Sequence, residues 1–413
     1  MPDLRINTNR LLDELHRLAR ITDAEPPAVT RVLFTPRDME ARGFLVDLFA
    51  CAGLAVRTDS IGNIFARWVG SEPSLPAVAT GSHTDAIPNA GMYDGTVGVL
   101  GGLEAIRALQ QSGAEPRRSI ELIMFTSEEP TRFGIGCVGS RVMSGALAPE
   151  ATATLTDAEG FTFEQARRMG GCTGEVVDAR LPLNHYAGFI ELHIEQGWRL
   201  EKAGLPIGVV TAIAAPAALE IALEGEGGHA GAVLMPERRD ALCGAAEIVL
   251  AVEAAAKNSG AIDSVATAGI CEVFPGAINS VPSRVSLKLD VRDIDRARRD
   301  GMLDEISRVV AEVSQRRGLK ASLGVLNADP PAQCDPQIVA AIESSARDAR
   351  LASQRMVSRA YHDSLFMARI APTGMIFIPC RAGVSHRPDE YASPEHIAAG
   401  VHVLAKTLER LAS

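Results

Sequence analysis

Along residues 77–125, short uninterrupted apolar runs alternate with a stretch of helical period, the pattern of strand and helix units in an α/β sheet. Ala77-Val78-Ala79-Thr80-Gly81 reads as a buried strand that stops at Ser82-His83-Thr84-Asp85. From Val97 to Gln111 the apolar residues Val99, Leu103, Ile106 and Leu109 fall on one side of a helix. Ser119 to Phe125 is the next strand and ends at Thr126-Ser127-Glu128-Glu129. Phe189 to His193 and Gly374 to Ile378 supply two more. Polar clusters therefore sit just past the carboxyl ends of the strands, where open α/β sheets place their ligand sites.

Between residues 213 and 329 the pattern changes to strict alternation. Leu219, Ile221 and Leu223 alternate with other residues, as do Val285, Leu287, Leu289 and Val291, and Ser264 to Val273 and Lys320 to Leu326 fit two further strands. Amphipathic helices are expected over Asp240 to Lys257 and Asp295 to Gln315. The order strand, helix, strand, strand, helix, strand is a split βαβ module. The expected architecture is thus α/β: a mixed-sheet domain of residues 1–212 and 330–413, interrupted by an inserted α+β domain of residues 213–329. The first domain resumes after Ala328-Asp329-Pro330-Pro331.

Composition agrees with two domains. The chain has 413 residues, 46% of them apolar, and single cores stop growing beyond roughly 250–300 residues. Forty-one Lys and Arg against 51 Asp and Glu leave a net charge of −10, the wrong sign for a surface that neutralises phosphates. Neither nucleic acid nor a membrane is expected as a partner. The seven cysteines are scattered and form no C-x-x-C pair, which points to reduced thiols and a cytoplasmic location. The amphipathic stretch over residues 1–17 has no apolar leader-like run, and the longest uncharged run, Leu205 to Leu219, is broken by Pro206 and Pro216.

Divalent cations are held by imidazoles and carboxylates, and paired sites draw about four to six such ligands from several strand ends. The chain offers Gly81-Ser82-His83-Thr84-Asp85, then Asp94 in Gly91-Met92-Tyr93-Asp94-Gly95, then Ser127-Glu128-Glu129-Pro130. Glu191-Leu192-His193-Ile194-Glu195-Gln196-Gly197 and Ser385-His386-Arg387-Pro388-Asp389-Glu390 complete the set. A lone histidine at a strand end is ordinarily structural, but Glu128-Glu129 follows a buried Ile-Met-Phe run, where two neighbouring carboxylates need a cation or a shared proton. Gly134-Ile135-Gly136-Cys137-Val138-Gly139 satisfies G-x-G-x-x-G, yet Thr126 to Phe133 separate it from its strand. These glycines read as a loop and helix start beside the glutamate pair, not as a dinucleotide site.

The five segments, in this order and spacing, resemble the N-carbamoyl amidohydrolase branch of the dinuclear-metal aminoacylase and carboxypeptidase superfamily, over nearly the whole chain. Within that branch, the segments 125–134, 228–236 and 360–369 look closest to ureidoglycolate amidohydrolases. The resemblance implies that His83 and His193 bind one metal, Glu129 and His386 the other, and that Asp94 bridges them. It makes Glu128 the general base, leaves Asp85 to orient His83, and gives His229 the developing oxyanion. Asn279 and Arg292 match family residues that hold the substrate carboxylate, and Gln196 is expected on the ureido group. Tyr361 or His362 is expected to read a substrate hydroxyl. The implied cofactors are two divalent ions, Mn2+ first, with Zn2+, Co2+ or Ni2+ also fitting the donors. The implied partner is a small anionic ureido substrate, and the implied assembly is a homodimer through the inserted domain.

The implied reaction is hydrolysis of the ureido C–N bond of ureidoglycolate in allantoin and purine nitrogen recovery. Its closest alternatives are hydrolysis of N-carbamoyl-L-amino acids or of allantoate on the same metals. A dipeptidase or aminoacylase is a further alternative, and a metal-binding assembly protein belongs to a different class. The adjacent acids Glu128 and Glu129 favour catalysis, since metal retention alone does not require a second carboxylate beside a ligand.

Overall fold

The structure, a computed structural model, describes residues 4–413; the first three residues of the amphipathic N-terminal stretch lie outside it. The chain forms two compact units: one comprises residues up to Thr211 with 334–358 and 362–413, the other residues 212–333 with 359–361.

In the first unit, the all-apolar runs become the middle of a mixed sheet. Strands Thr373–Ile378, Tyr186–Ile194, Ala77–His83 and Ile120–Phe125 lie side by side in that order and run parallel. Antiparallel strands extend the sheet at both sides: Ile207–Ile213 beyond Thr373–Ile378, and Ile64–Trp68 with Ala55–Thr58 beyond Ile120–Phe125. Parallel strands covered on both faces are buried on both faces, which is why their sequences read as continuous apolar runs. Every residue of Ala77–His83 and of Ile120–Phe125 is buried. Helix Thr96–Gln111, one residue longer at its start than its apolar period suggests, packs on this sheet and against the C-terminal helix Pro394–Ala412. Because the four parallel strands point the same way, His83, the loop after Phe125 and the loop after Ile194 leave the sheet at one edge.

The second unit is a four-stranded antiparallel sheet in the order Val265–Phe274, Arg284–Asp293, Ala215–Glu224, Lys320–Ala328. Helices Ala241–Lys257 and Arg296–Arg317 pack on one face. The alternating positions Leu219, Ile221, Leu223, Val285, Leu287, Leu289 and Val291 meet Ile248, Val252, Met302, Ile306 and Val310 of the helices in one core. This unit also takes up residues 359–361, which the apolar pattern leaves with the first domain. Arg359 pairs with Asp263, its carbonyl accepts from Arg292, and the Tyr361 hydroxyl bonds Asn327 and Asp329. Such contacts depend on register between distant strands and leave no local periodicity.

All seven cysteines are free thiols, and among the described residues no helix is long and apolar enough to cross a membrane.

Candidate metal centre

His83 is the last residue of its strand, and His193 is the penultimate residue of the neighbouring one. Both imidazoles are buried, and both turn Nδ1 toward a backbone carbonyl, His83 to Asp85 at 3.0 Å and His193 to Ile194 at 2.9 Å. A neutral imidazole whose Nδ1–H is engaged in this way presents the lone pair of Nε2, the form that binds a metal. Nε2 of His83 and of His193 lie 3.6 and 3.1 Å from Oδ1 of Asp94. The other carboxylate oxygen of Asp94 is 3.2 Å from Nε2 of His386, which in turn is 3.6 Å from Oε1 of Glu129.

Two donor groups therefore share one carboxylate: His83, Asp94 and His193 in the first, Asp94, Glu129 and His386 in the second. Within each group the ligand atoms lie within 4.8 Å of one another. The donors are nitrogen and oxygen, without thiolate, a set suited to divalent cations of borderline or hard character. These residues fit a pair of such ions. A third group, Glu191, His193 and His362, is also close, but the Glu191 carboxylate already accepts from Ser82 Oγ at 2.8 Å and from Ser364 N and Oγ at 3.1 and 2.6 Å.

Backbone geometry serves the same centre. Ser127, Gln196 and His386 hold left-handed backbone, with φ of 56°, 54° and 58°, which is uncommon for residues other than glycine. Gly95 begins the helix after Asp94 at φ +66°, and a Cβ there would stand 2.4 Å from His83 Nε2, on top of the ligand atom. Its amide nitrogen lies 3.1 Å from His193 Nε2. The glycines 134–139 fold back on the glutamate loop: the N–H groups of Cys137, Val138 and Gly139 donate to the carbonyls of Glu128, Ser127 and Thr126.

Electrostatics follow from crowding charge in a dry place. Burial pushes Glu128 well above the usual carboxylate range, only partly offset by His83 and reinforced by Glu129 and Asp363. Glu129 is pushed up to about 7 by burial and by Asp94. Burial also works against charge on His83, but Glu128, Asp94 and Asp85 outweigh it and hold the imidazole well above its ordinary value. Asp94 goes the other way, because three imidazoles outweigh its burial. Glu128 Oε2 is 3.6 Å from His83 Nε2, and the Cys137 thiol is 3.5 Å from Oε1.

The remaining expected residues fall into three situations. Asp85 holds His83 through its backbone carbonyl; its carboxylate, 3.8 Å from His83 Nδ1, accepts instead from the N–H groups of Glu128 at 3.3 Å and Glu129 at 3.0 Å. The contact of Asp85 with His83 is thus made by the main chain, and its carboxylate fixes the glutamate pair. Gln196 donates from Nε2 to Asp94 at 2.8 Å, so its amide is engaged on the shared carboxylate, while Oε1 is buried without a hydrogen-bond partner. His362 lies behind His193, with ring centroids 4.6 Å apart and Nε2 at 2.9 Å from Ser358 Oγ.

His229, Asn279, Arg292 and Tyr361 belong to the second unit. His229 and Asn279 are exposed there, on strands or loops joined by the short pairing of Gly228–His229 with Ser280–Val281. The Gly231 N–H donates to His229 Nδ1 at 3.1 Å. Arg292 is bidentate to Asp290 at 2.7 and 3.0 Å and donates to the Arg359 carbonyl. The Tyr361 hydroxyl donates to Asp329 at 2.8 Å and accepts from Asn327 at 2.6 Å. Sequence reasoning did not single out Glu390, Glu191 or Ser385, which bond to the ligand segments, or Asp363, whose carboxylate accepts from Ser140 and helps to raise Glu128. The one available signal was the position of Ser385 and Glu390 at the two ends of the His386 segment.

Residues 79–410 match Peptidase family M20/M25/M40. The chain is 51% identical to a ureidoglycolate hydrolase of Arabidopsis thaliana over 99% of its own length and 87% of that protein's. An N-carbamoyl-L-amino-acid amidohydrolase of Pseudomonas sp. (strain NS671) is 35% identical over 99% of both chains. Crystal structures of AtUAH in complex with glyoxylate and with (S)-hydroxyglycine each superpose with a TM-score of 0.88 at 50% identity, covering 99% of this chain and 98% of theirs.

Proposed function

The chain belongs to peptidase family M20/M25/M40 and to its N-carbamoyl amidohydrolase branch, and from that membership we propose that it hydrolyses the ureido C–N bond of ureidoglycolate. The observation that carries the reading is a pair of nitrogen and oxygen donor groups sharing Asp94, in a chain so similar to a ureidoglycolate hydrolase. Water attacks the ureido carbonyl; the C–N bond breaks to give carbamate, which yields ammonia and carbon dioxide, and hydroxyglycine, which decays to glyoxylate and a second ammonia. Glyoxylate and hydroxyglycine as ligands of a protein with the same fold support this sequence of products.

Divalent cations held by His83, His193, Asp94, Glu129 and His386, Mn2+ foremost, supply Lewis acidity toward a water and the ureido carbonyl. Glu128 takes the proton of the attacking water and returns it to the leaving nitrogen. Burial raises its proton affinity above that of an ordinary carboxylate, which favours taking up the proton of the water. Asp85 fixes the peptide on which Glu128 and Glu129 sit. His229 is the donor for the oxyanion: with the Gly231 N–H on Nδ1, the ring proton belongs on Nε2. Asn279 and Arg292 hold the substrate carboxylate, Arg292 with the two guanidinium N–H groups left after its three recorded bonds. Gln196 is the ureido contact through its unpartnered Oε1, and Tyr361 or His362 reads the 2-hydroxyl.

The second unit is assigned as a homodimer interface, tested by light scattering at twice the chain mass. A cytoplasmic location and a role in recovering purine nitrogen are part of the same reading. The decisive experiment incubates metal-stripped protein, with and without added Mn2+, with ureidoglycolate and with N-carbamoyl amino acids that lack the hydroxyl. Mn2+-dependent glyoxylate release from ureidoglycolate is expected. Turnover of the N-carbamoyl amino acids without glyoxylate above the spontaneous rate would overturn the assignment.

A further inference from the structure

Glu390 is buried and lies 296 residues from Asp94 in the chain, yet it is bonded to the segment that carries it. Its Oε1 accepts the backbone N–H groups of Tyr93 at 2.8 Å and Asp94 at 3.1 Å. Its Oε2 is 2.9 Å from the Ser385 hydroxyl, and that hydroxyl is 2.7 Å from Oδ2 of Asp94. The carboxylate thus grips the Asp94 peptide from behind, while Ser385, next to His386, meets the Asp94 side chain from the front. Gly91 leaves the room for it: a Cβ at that position would stand 2.3 Å from the Glu390 Cβ and 2.5 Å from its Cδ and Oε1.

We propose that Glu390 is a positioning residue, which with Ser385 locks the Asp94 loop to the His386 loop so that one oxygen of Asp94 stays beside His83 and His193 and the other beside His386. The proposal rests on the reading of Asp94 as the shared ligand and goes beyond it, since Glu390 itself offers no atom to a metal. Asp94 depends on this lock more than His83 and His193 do. His83 and His193 stand on strands inside the sheet, whereas Asp94 sits in the loop ahead of a helix and must keep both oxygens aligned at once. Side chains that orient ligands from behind are typically worth about 10- to 100-fold in metal affinity.

The role is geometric, and that makes it separable from a loss of charge. A glutamine at 390 keeps every contact: its carbonyl oxygen accepts the two N–H groups, its amide donates to Ser385 Oγ, and the single Ser385 proton goes to Asp94. Alanine removes all three. The test titrates metal-stripped protein with Co2+, reading affinity and stoichiometry from the visible absorption of the bound ion, with far-UV circular dichroism as the check on folding. Glu390→Ala is expected to weaken Co2+ binding by about 10- to 100-fold, Glu390→Gln to stay within about 3-fold of the parent, and Gly91→Ala, which drives Glu390 off its partners, to resemble Glu390→Ala. Parent-like affinity in Glu390→Ala overturns the proposal, and so does a Glu390→Gln variant as weak as the alanine one. If Glu390→Ala does not fold, Gly91→Ala decides: parent-like affinity there overturns it. Asp94→Ala run alongside keeps the two readings apart, because undiminished Co2+ stoichiometry in that variant refutes the shared-ligand reading itself.

Discussion

In the first unit, His83, Asp85, Asp94, Glu128, Glu129 and His193 are all buried together around the carboxyl ends of parallel strands, whereas the second unit has a hydrophobic core of Ala, Val, Leu, Ile and Met and buries only Asp293, Arg299 and Asp329 among its described charged residues. The second unit keeps its ion pairs largely outside, as in Glu247 with Arg316 and Arg317 or Arg308 with Glu305 and Glu312. Burying several carboxylates together costs folding free energy unless something compensates each charge. Aliphatic burial returns about 25 cal/mol per Å2 without such a condition. One unit is therefore arranged at the expense of its stability around groups that need a cation, and the other is a scaffold held by hydrocarbon packing. Perturbations of metal and of packing should separate cleanly between them.

The largest expected effects come from the ligand cluster. Asp94→Ala removes the one residue common to both donor groups, and metal analysis of the purified variant should find the bound ions lost and glyoxylate release at the spontaneous rate. Glu128→Gln should lower kcat by about 10^2- to 10^4-fold, the span of general acid–base catalysis, with the metal content of the parent. A Glu128→Gln protein that loses its metal would merge base and ligand, and the distinction between the two adjacent acids would fail.

Next in size is a cavity in the other unit. Leu287 is fully buried between the sheet and the helices, and Leu287→Ala should cost about 2–5 kcal/mol in urea unfolding. Metal content per folded molecule should stay unchanged. A variant that sheds its metal while folded would show that the two cores are energetically joined. Saturating Mn2+ at about 100 times its dissociation constant should in turn stabilise the protein by about 2.7 kcal/mol for each site filled, and Asp94→Ala should abolish that gain while Leu287→Ala keeps it.

The same contrast explains what could be read in advance. The split βαβ order was legible because the two middle strands of the second unit alternate, with Leu219, Ile221 and Leu223 inward and Ala218, Glu220 and Ala222 less buried. The candidate donor groups were legible because histidines and paired acids directly after apolar runs are chemically costly and so stand out. Glu390 did not, since it acts on backbone N–H groups, which every residue but proline has, and a contact across nearly 300 residues leaves no spacing to count. Asp85 was expected beside His83 from the family resemblance, which does not say that the contact runs through its backbone carbonyl. Residues 359–361 escaped for a related reason, their partners being set by the pairing of remote strands.

The smallest effect is expected at the surface of the second unit, and its sign with pH is the sharper test. The guanidinium hydrogen bonds of Arg316 and Arg317 hold Glu247 at about 2, below the ordinary carboxylate value of 4.5. A depressed carboxylate stabilises the fold above its unfolded value and loses that contribution as pH falls through its folded one, so the contribution is present above about 4.5 and fades toward 2. The group is solvent-accessible, and exposed pairs are screened and entropically costly. Glu247→Gln should therefore lower the melting temperature by only about 1 °C at pH 7 in low salt, and less in 1 M NaCl. The difference from the parent should shrink as pH falls from 4.5 toward 2. A deficit of several degrees that survives high salt would mean that this unit, too, leans on charge, and the contrast between the two regions would be one of degree.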